Sequence, residues 1–407
     1  MMEKHELRAA ASLAAVFSVR MLGLFMVYPV FAAFARQLAG ATPYKIGVAL
    51  GIYGLSQGVL QIPFGALSDR IGRKTMIVIG LVVFGIGSAV AARAGSIDGM
   101  IIGRLLQGGG AIGSVVLALI ADLTAEKSRT KAMALVGMTI GFSFLVAIVT
   151  GPAIAGWIGV AGIFWLMAGL ALAGIAITAF VVPAAPRPQV QPQAETVPAL
   201  IGASLRNAQL LRLDFGIFAL HAMLTASFLV LPSLLRGSLA VSSREQWLIY
   251  LPVLLVSVVV MVPAIIAAER YRRTKSVLVA AVAALAASQL MLALSGSNPY
   301  VVLAGLIVFF SGFNIMEASL PSLVTKTAPA GSTGTATGIY SSSQFLGIFA
   351  GGVVGGWVHQ AAGTTAVFLF AAAVATVWLL VAATMRGKAL GRDGGRVPIT
   401  APRSSER

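Results

Sequence analysis

The sequence predicts an all-α membrane protein in which twelve transmembrane helices form two pseudo-symmetric six-helix bundles. Of its 407 residues, 58% are hydrophobic and only 10% are charged, whereas a soluble domain has about 25% charged residues. Apolar stretches of spanning length recur along the whole chain, and one Pro- and Gln-rich segment divides them into two sets of six. The bilayer is therefore expected to be the main solvent.

Twelve apolar stretches are predicted to span the membrane, because each approaches the roughly 20 residues that a spanning helix needs. The predicted spans are 9–35, 44–67, 74–95, 98–121, 131–157, 160–182, 212–235, 246–268, 275–295, 299–322, 333–358 and 364–385. The first is too long for the apolar core of a signal peptide. It is therefore predicted to remain as an uncleaved first helix.

The domain boundaries follow from composition. The stretch PAAPRPQVQPQAETVP is rich in Pro and Gln, which favour a linker over a span. The predicted units are an N-terminal bundle (1–182), a cytoplasmic linker (183–211), a C-terminal bundle (212–385) and a basic cytoplasmic tail (386–407). The tail is too short for a second soluble domain, and its cations can contact anionic lipid headgroups.

The two halves resemble each other at an offset of 200 residues. The segment 63–74, PFGALSDRIGRK, matches 263–274, PAIIAAERYRRT, in its proline, its acid and two arginines. A weaker match relates Gly151, Gly156 and Trp157 to Gly351, Gly356 and Trp357. Two parallel halves of six helices are an architecture of transporters.

The net charge of +16 is spread over short clusters between the apolar spans. Most of the 29 cations fall on one side if both termini are cytoplasmic, which is the positive-inside pattern. This predicts a multi-pass protein of the bacterial inner membrane with cytoplasmic termini, and no nucleic-acid partner. The chain has no cysteine, which excludes disulfides, thiolate metal sites and cysteine nucleophiles.

The stretch GALSDRIGRK, residues 65–74, forms a charged turn between the second and third spans. Its candidate functional residues are Gly65, Asp69, Arg70, Gly72, Arg73 and Lys74. The residues alone leave two interpretations open: the cations set the membrane topology, or they form contacts that control a conformation.

Ionisable groups within spans are costly in lipid and are hypotheses for functional sites. Glu317 lies well inside the tenth span, and low-dielectric surroundings favour a neutral carboxyl group, so it is the candidate proton carrier. His221 and Arg20 are candidates for the same coupling. For each of these residues the alternative is a structural role in holding helices together.

Two further motifs bend or pack helices. Arg104, Gln107 and Gly108 lie in GRLLQGGGAIG of the fourth span, where the arginine either enters a polar core or snorkels outward. Gly151, Pro152 and Gly156 of the fifth span indicate a kinked pivot or seal between the halves, or an ordinary kinked span. Candidates for a substrate cavity are Phe25, Tyr28, the Ser56–Gln57 pair, Asn314, Tyr340 and Gln344.

These motifs resemble those of the major facilitator superfamily. GALSDRIGRK is similar to its motif between helices two and three, GRLLQGGGAIG to its fourth-helix motif, and TGPAIAG to the fifth-helix motif of drug/proton antiporters, with Ala155 in place of a glycine. The resemblance implies that Arg73 pairs with Asp122 and that Asp69 lies near the start of the eleventh helix. These links would hold the cytoplasmic ends closed in an outward-facing state.

The expected function is a proton-coupled exporter of small amphipathic or drug-like molecules that works by alternating access. The expected partners are a small-molecule substrate, protons and membrane lipids; the protein is expected to be monomeric, with no cofactor or metal and a proton gradient as its energy source. The alternatives are a proton-linked importer or facilitator of a small nutrient, and a non-transporting scaffold or sensor. Three scattered histidines and no cysteine disfavour a membrane-embedded enzyme.

Overall fold

The computed structural model describes residues 3–183, 202, 204–329 and 332–385, and in this part of the chain the regular structure is helical. The predicted all-α fold is thereby confirmed. Most of the predicted linker and the whole predicted tail lie outside the described residues. The helices are α1 Lys4–Ala35, α2 Pro43–Ile71, α3 Arg73–Ala92, α4 Ile97–Gly109, α5 Gly113–Leu123, α6 Glu126–Ala176, α7 Ala208–Leu239, α8 Trp247–Arg270, α9 Thr274–Leu294, α10 Pro299–Thr327 and α11 Thr333–Ala383, with a π-helical segment at Ile177–Val181.

Short polar residues begin several of the helices. Thr42 caps α2 by accepting a hydrogen bond from the Lys45 backbone N–H, and Pro43 occupies the first turn. Asn298 caps α10 in the same way and is followed by Pro299. A side-chain cap accepts a hydrogen bond from a backbone N–H that has no partner inside the helix. A proline in the first turn costs no helical hydrogen bond, because the N–H groups there have no intrahelical acceptor. These signals are readable in the sequence.

The fifth and sixth predicted spans lie together in α6 and the eleventh and twelfth in α11, and each of these segments is two helices joined at a single non-helical glycine. Each has 51 residues, which is about 76 Å of helix and too long for one crossing of a bilayer. Gly159 (φ 70°) and Gly363 (φ 79°) are their non-helical residues. A positive φ strains residues that carry a Cβ, so glycine allows the chain to reverse in a single residue.

The reversal of α6 is visible in its contacts with α1. A Cβ on Gly151 would lie 2.4 Å from the Met26 carbonyl oxygen, and one on Gly23 would lie 3.0 Å from Met167. Gly23 and Met26 are less than one helical turn apart, whereas Gly151 and Met167 would be about 24 Å apart in a straight helix. Both halves of α6 therefore pack against the same turn of α1.

The fourth predicted span is interrupted between α4 and α5. Gly108, Gly109 and Gly110 bring the backbone close to its neighbours: a Cβ on Gly108 would lie 2.2 Å from the Tyr53 carbonyl oxygen, and one on Gly110 would lie 2.3 Å from that of Gly80. Hydropathy alone predicted one unbroken helix here. The break allows α4 to pack closely on α2 and α3.

The helices cross in alternating directions, so the molecule has two ends. We call the end that holds the start of α1 and the turns α2–α3, α5–α6 and α8–α9 the basic end, because Arg70, Arg73, Lys74, Arg270 and Arg273 lie there. The other end, with the α1–α2 turn, Gly159 and Gly363, is called the opposite end. The positive-inside rule predicts that the basic end is cytoplasmic.

The two bundles are in close contact toward the opposite end. Helices α2 and α11 run antiparallel there, and a Cβ on Gly47 would lie 2.1 Å from the Gly352 carbonyl oxygen. A Cβ on Gly54 would lie 2.3 Å from the Phe345 carbonyl oxygen. Small residues allow such backbone contact between membrane helices. The contact closes the opposite end of the interface.

Toward the basic end the same two helices separate. A Cβ added at Gly65 would contact Ser114 of α5, whereas Cβ atoms added earlier in α2 would contact α11. Near the start of α11, Gly334 and Gly338 would have no heavy atom within 4 Å of an added Cβ. The described residues therefore show a conformation that is closed at the opposite end and open at the basic end.

The 200-residue repeat gives corresponding contacts in the two bundles. Gly151 packs on Met26 of α1, and Gly351 packs on Ala222 of α7, each within its own bundle. Gly156 contacts the side chain of Arg244, and Gly356 contacts the backbone of Pro43, each in the other bundle. In each half, one of the matched glycines thus packs within its own bundle and the other contacts the other bundle.

The substitution Gly47→Ala should shift the protein toward a state that is open at the opposite end, because its methyl group cannot fit 2.1 Å from a backbone oxygen. Spin labels on Gln37→Cys and Ser243→Cys, which line an opposite-end cavity between the bundles, report this opening as longer electron-paramagnetic-resonance distances. The absence of native cysteines makes the labelling specific. Gly338→Ala is the control and should leave the distances unchanged; equal distances in the two variants would show that the contact does not control the opening.

At the basic end, Glu6 attaches the start of α1 to the start of α6. Its carboxylate accepts a hydrogen bond from the Ala125 backbone N–H (2.8 Å) and another from that of Glu3 (2.9 Å). Ala125 is the residue that precedes α6, where the helix dipole also favours a negative charge. These hydrogen bonds, first that of Ala125, lower the pKa of Glu6 to about 2.

The stabilisation by Glu6 should depend on pH. Its folded-state pKa lies below the ordinary value of 4.5, so the stabilisation is fully present above about pH 4.5 and is lost as the pH falls toward about 2. The difference in Tm between wild type and Glu6→Gln should shrink over this range. Glu269→Gln, at an exposed carboxylate, should show a smaller difference; a Glu6→Gln difference that stays constant with pH would refute the assignment.

Candidate functional site

Glu317, His221 and Gln344 form one polar cluster inside the second bundle. The Gln344 amide donates to His221 Nε2 (2.8 Å) and lies 3.5 Å from Glu317 Oε1, while His221 Nε2 is 3.9 Å from Glu317 Oε2. His221 Nδ1 lies 3.3 Å from the Ile217 carbonyl oxygen, so these partners assign the proton to Nδ1 and leave Nε2 as an acceptor. The carboxylate and the imidazole can therefore accept the same proton.

The elements that build this cluster are α7, α10 and α11. His221 is almost fully buried in α7, whereas the Glu317 side chain in α10 is 28% exposed. Gln344 lies on the same helix, α11, that packs against α2 of the first bundle. The Glu317 side chain is thus partly exposed, while its Oε2 is buried and has no hydrogen-bond partner among the described residues.

Asp214 and Tyr340 are two further buried polar side chains of the second bundle, and the sequence analysis did not single out Asp214. The structure buries Asp214 in α7, two helical turns before His221, and its Oδ1 has no hydrogen-bond partner among the described residues. The Tyr340 hydroxyl in α11 likewise has no hydrogen-bond partner among the described residues. A lone acid seven residues from a histidine in an apolar stretch was the available signal.

Of the remaining candidates for the substrate cavity, some lie at the interface between the bundles and others pack helices within one bundle. Asn314 donates to the Ser257 hydroxyl (2.8 Å) and so joins α10 to α8 within the second bundle. Tyr28 lies 3.2 Å from Thr225 across the interface, and Phe25 packs edge-on against Phe144. Sequence spacing gave no sign of these partners, because they come from distant parts of the chain.

Aromatic rings continue the contact between the bundles. Phe144 of α6 stacks on Phe313 of α10 with ring centroids 5.2 Å apart, and Phe313 in turn lies 5.8 Å from the His221 ring. Tyr28 of α1 packs edge-on against Phe228 of α7. The interface beside the carboxylate cluster is therefore lined by apolar rings from both halves.

The first bundle contains two fully buried arginines, Arg20 and Arg104, and both lie near the Tyr53 ring. Their guanidinium carbons lie 5.8 and 4.9 Å from the ring centroid. Arg20 donates to the amide oxygen of Gln57, and Gln57 donates to Gln61 (3.2 Å). Ser56, the neighbour of Gln57, instead bonds to the backbone of its own helix.

Arg104 belongs to a hydrogen-bond network that settles its environment as a polar core. It donates to Gln107 Oε1 (2.9 Å) and lies 3.4 Å from each of the Ala49 and Leu50 carbonyl oxygens. Gln107 in turn donates to the Ser88 hydroxyl (2.8 Å). The arginine therefore does not snorkel outward, and the network ties α4 to α2 and α3.

Arg73 is the centre of the charged turn. It forms ion pairs with Asp69 (2.6 Å) and Asp122 (3.1 Å) and donates to the Ser68 hydroxyl (2.6 Å). The pairing of Arg73 with Asp122 that the family resemblance implied is present. All four residues belong to the first bundle, and they are joined in a conformation whose basic end is open.

The other residues of the turn have separate roles. Gly72 ends α2 and begins α3 with φ 101°, a conformation that strains other residues. Lys74 donates to the Val182 carbonyl oxygen (2.9 Å) and thereby caps the end of the sixth predicted span. Arg70 is exposed, and Gly65 allows α2 to approach Ser114.

The predicted pivot lies at the opposite end of the interface. Pro152 and Gly156 line a cavity of about 240 Å³ together with Arg236 and Arg244 of the second bundle. Gly156 meets the Arg244 side chain, while Gly151 packs within its own bundle. These positions suit a seal between the halves, although a pivoting motion is still only a prediction.

The structure brings Glu317, His221 and Gln344 together and places Arg20 in a different cluster, in the other bundle. Among the described residues, His221 and Glu317 are neighbours, and no ion pair involves Arg20 or Arg104. In the same part of the chain no group of three or more histidines or acids has the geometry of a metal site.

Comparison with known proteins identifies the family. The model of the Major Facilitator Superfamily matches residues 13–341 and 213–404. The inner membrane transport protein YajR of Escherichia coli K12 is 46% identical over 381 residues, which cover 94% of this chain and 84% of YajR. An uncharacterized transporter of Buchnera aphidicola subsp. Acyrthosiphon pisum is 34% identical over 348 residues, covering 85% and 89%.

Solved structures support the same fold at low sequence identity. The crystal structure of a mutant of the nucleoside transporter NupG has a TM-score of 0.70 and 15% identity, and the similarity covers 96% of this chain and 100% of NupG. At this identity the likeness concerns the fold alone. From the family match and the identity to YajR, we conclude that this chain belongs to the Major Facilitator Superfamily of membrane transporters.

Proposed function

We propose that this transporter is a proton-coupled exporter of small amphipathic or drug-like molecules. It resides in the bacterial inner membrane with both termini in the cytoplasm, and its two bundles rock about a central cavity. The observation that carries the proposal is the cluster of Glu317, His221 and Gln344, in which a partly exposed carboxylate lies beside a buried imidazole.

The cluster is suited to coupling because it adjoins the surface along which the bundles move. Gln344, which contacts both His221 and Glu317, lies in the part of α11 that packs on α2. Separation of α2 and α11 would change the surroundings of Gln344 and hence the hydrogen bonds to Glu317. A carboxylate whose solvation differs between two states binds protons differently in each state.

The substrate class rests on the lining and on partial relatives. Phe25, Phe144 and Phe313 present apolar rings at the interface next to the polar cluster, which suits a molecule that is apolar with one polar group. The tetracycline resistance protein of class E from Escherichia coli is 32% identical over 34% of this chain. The multidrug resistance protein 2 of Bacillus subtilis is 31% identical over 40%.

The substitution Glu317→Gln should abolish proton-driven accumulation of substrate. It should retain the fold, because the amide keeps the shape of the side chain, but an amide does not bind and release a proton as a carboxyl group does. For one proton per substrate, a gradient of one pH unit supplies about 1.4 kcal/mol, or about a tenfold accumulation. In proteoliposomes loaded with a fluorescent dye substrate, we expect this ratio to fall to about 1 in the variant.

Asp98→Asn is the matched control, since Asp98 is an exposed acid at the opposite end that pairs with Lys45. It should retain pH-driven transport. Accumulation by Glu317→Gln that follows the pH gradient as in the wild type would reject Glu317 as the proton carrier. Substrate movement in the same direction as the protons would instead support the importer.

The Arg73 contacts generate a separate prediction about transport. The substitutions Arg73→Asp and Asp122→Arg should each impair transport, and the double swap should restore part of it, because the pair is re-formed with reversed charges. Restoration should be incomplete, since the new aspartate would face Asp69. Arg70→Asp is the control at an exposed cation; a double swap no better than either single variant would show that the pair is unimportant for transport.

A further inference from the structure

The two buried arginines of the first bundle carry charge that the described protein groups do not neutralise. Arg20 and Arg104 both have no exposed surface, and neither forms an ion pair with a carboxylate in the described part of the chain. Two cations in a low-dielectric interior are destabilising unless a counter-charge lies close by. The Tyr53 ring near both arginines offers a weak cation–π attraction and no counter-charge.

The hydrogen bonds of the two arginines differ. Arg104 has acceptors on Ala49, Leu50 and Gln107. Arg20 donates one Nη to Gln57, whereas its Nε and other Nη find no acceptor among the described residues. The Tyr53 hydroxyl, also fully buried, lies beside the Arg20 guanidinium, and it has no partner of good hydrogen-bond geometry among the described residues. The unused groups therefore concentrate around Arg20 and Tyr53.

Unused groups of this kind define the chemistry of a missing partner. The Nε–H and Nη–H groups of an arginine only donate hydrogen bonds, and the Tyr53 O–H can donate too. A partner must therefore accept hydrogen bonds, and a negative one would also offset the two arginine charges. Since the surrounding Gln57 and Gln61 are 0% and 3% exposed, the partner must be small and enclosed.

We propose that Arg20, Tyr53 and Gln57, with Arg104 near the tyrosine ring, form a binding site for a small monovalent inorganic anion of the chloride type. The anion accepts hydrogen bonds from Arg20 and from the Tyr53 hydroxyl and reduces the net charge of the polar core. This site is independent of the proposed proton carrier, which lies in the other bundle.

The test compares the thermal stability of the purified protein in sodium chloride and in sodium gluconate at equal ionic strength. Gluconate is too large for the enclosed site, and equal ionic strength keeps general screening the same. We expect chloride to raise Tm by at least about 2 °C, because a ligand that binds only the folded state stabilises it. The same Tm in the two salts would overturn the proposal.

Two variants locate the effect. Arg20→Gln should remove the chloride-dependent rise in Tm, and Arg93→Gln, at an arginine that stacks on Trp165 outside the site, should keep it. A chloride effect that is unchanged in Arg20→Gln would also overturn the proposal. If Arg20→Gln does not fold, Tyr53→Phe replaces it: losing the O–H donor should reduce the rise in Tm by at least half, and an undiminished rise would count against the site.

A crystallographic measurement is independent of stability. Crystals grown in bromide should show an anomalous peak within hydrogen-bonding distance of Arg20 in the wild type. Bromide peaks confined to the protein surface would contradict the assignment.

Discussion

The fold depends on how it accommodates ionisable groups in an interior that solvates charge poorly. The first bundle buries two cations, Arg20 and Arg104, and the second contains two acids, Asp214 and Glu317, away from them. Because these groups do not pair across the bundles in this conformation, each half must satisfy its own. The arginines use amides and an aromatic ring, while Glu317 uses His221 and Gln344.

The separation of charge is compatible with movement because glycines make the contact between the bundles. At Gly47 and Gly352 the backbones of α2 and α11 touch, so the contact is specific in shape and has no salt bridge to break. The Arg73 ion pairs, in contrast, lie within one bundle and are intact while the basic end is open. They join the α2–α3 turn to the end of α5 within the first bundle, and they make no contact with the second bundle.

The sequence was sufficient for features that depend on local composition, and for those that a motif implied. Hydropathy predicted the spans, and the motif resemblance implied the pairing of Arg73 with Asp122. The predicted spans also placed turns at 158–159 and 359–363, where Gly159 and Gly363 reverse the chain. Sequence reasoning did not predict the break at Gly110, because it depends on close backbone contact with Gly80 of α3. For the same reason it did not find Tyr53 near the two arginines or Gln344 beside His221 and Glu317.

The central claim is that Glu317 itself binds and releases the transported proton. Infrared difference spectroscopy on the reconstituted protein measures this directly, since a protonated carboxyl group absorbs at a distinct C=O stretching frequency. The account predicts a carboxyl band that disappears as the pH is raised in the wild type and is absent in Glu317→Gln, while it remains in Asp214→Asn. An identical titrating band in wild type and Glu317→Gln would contradict it.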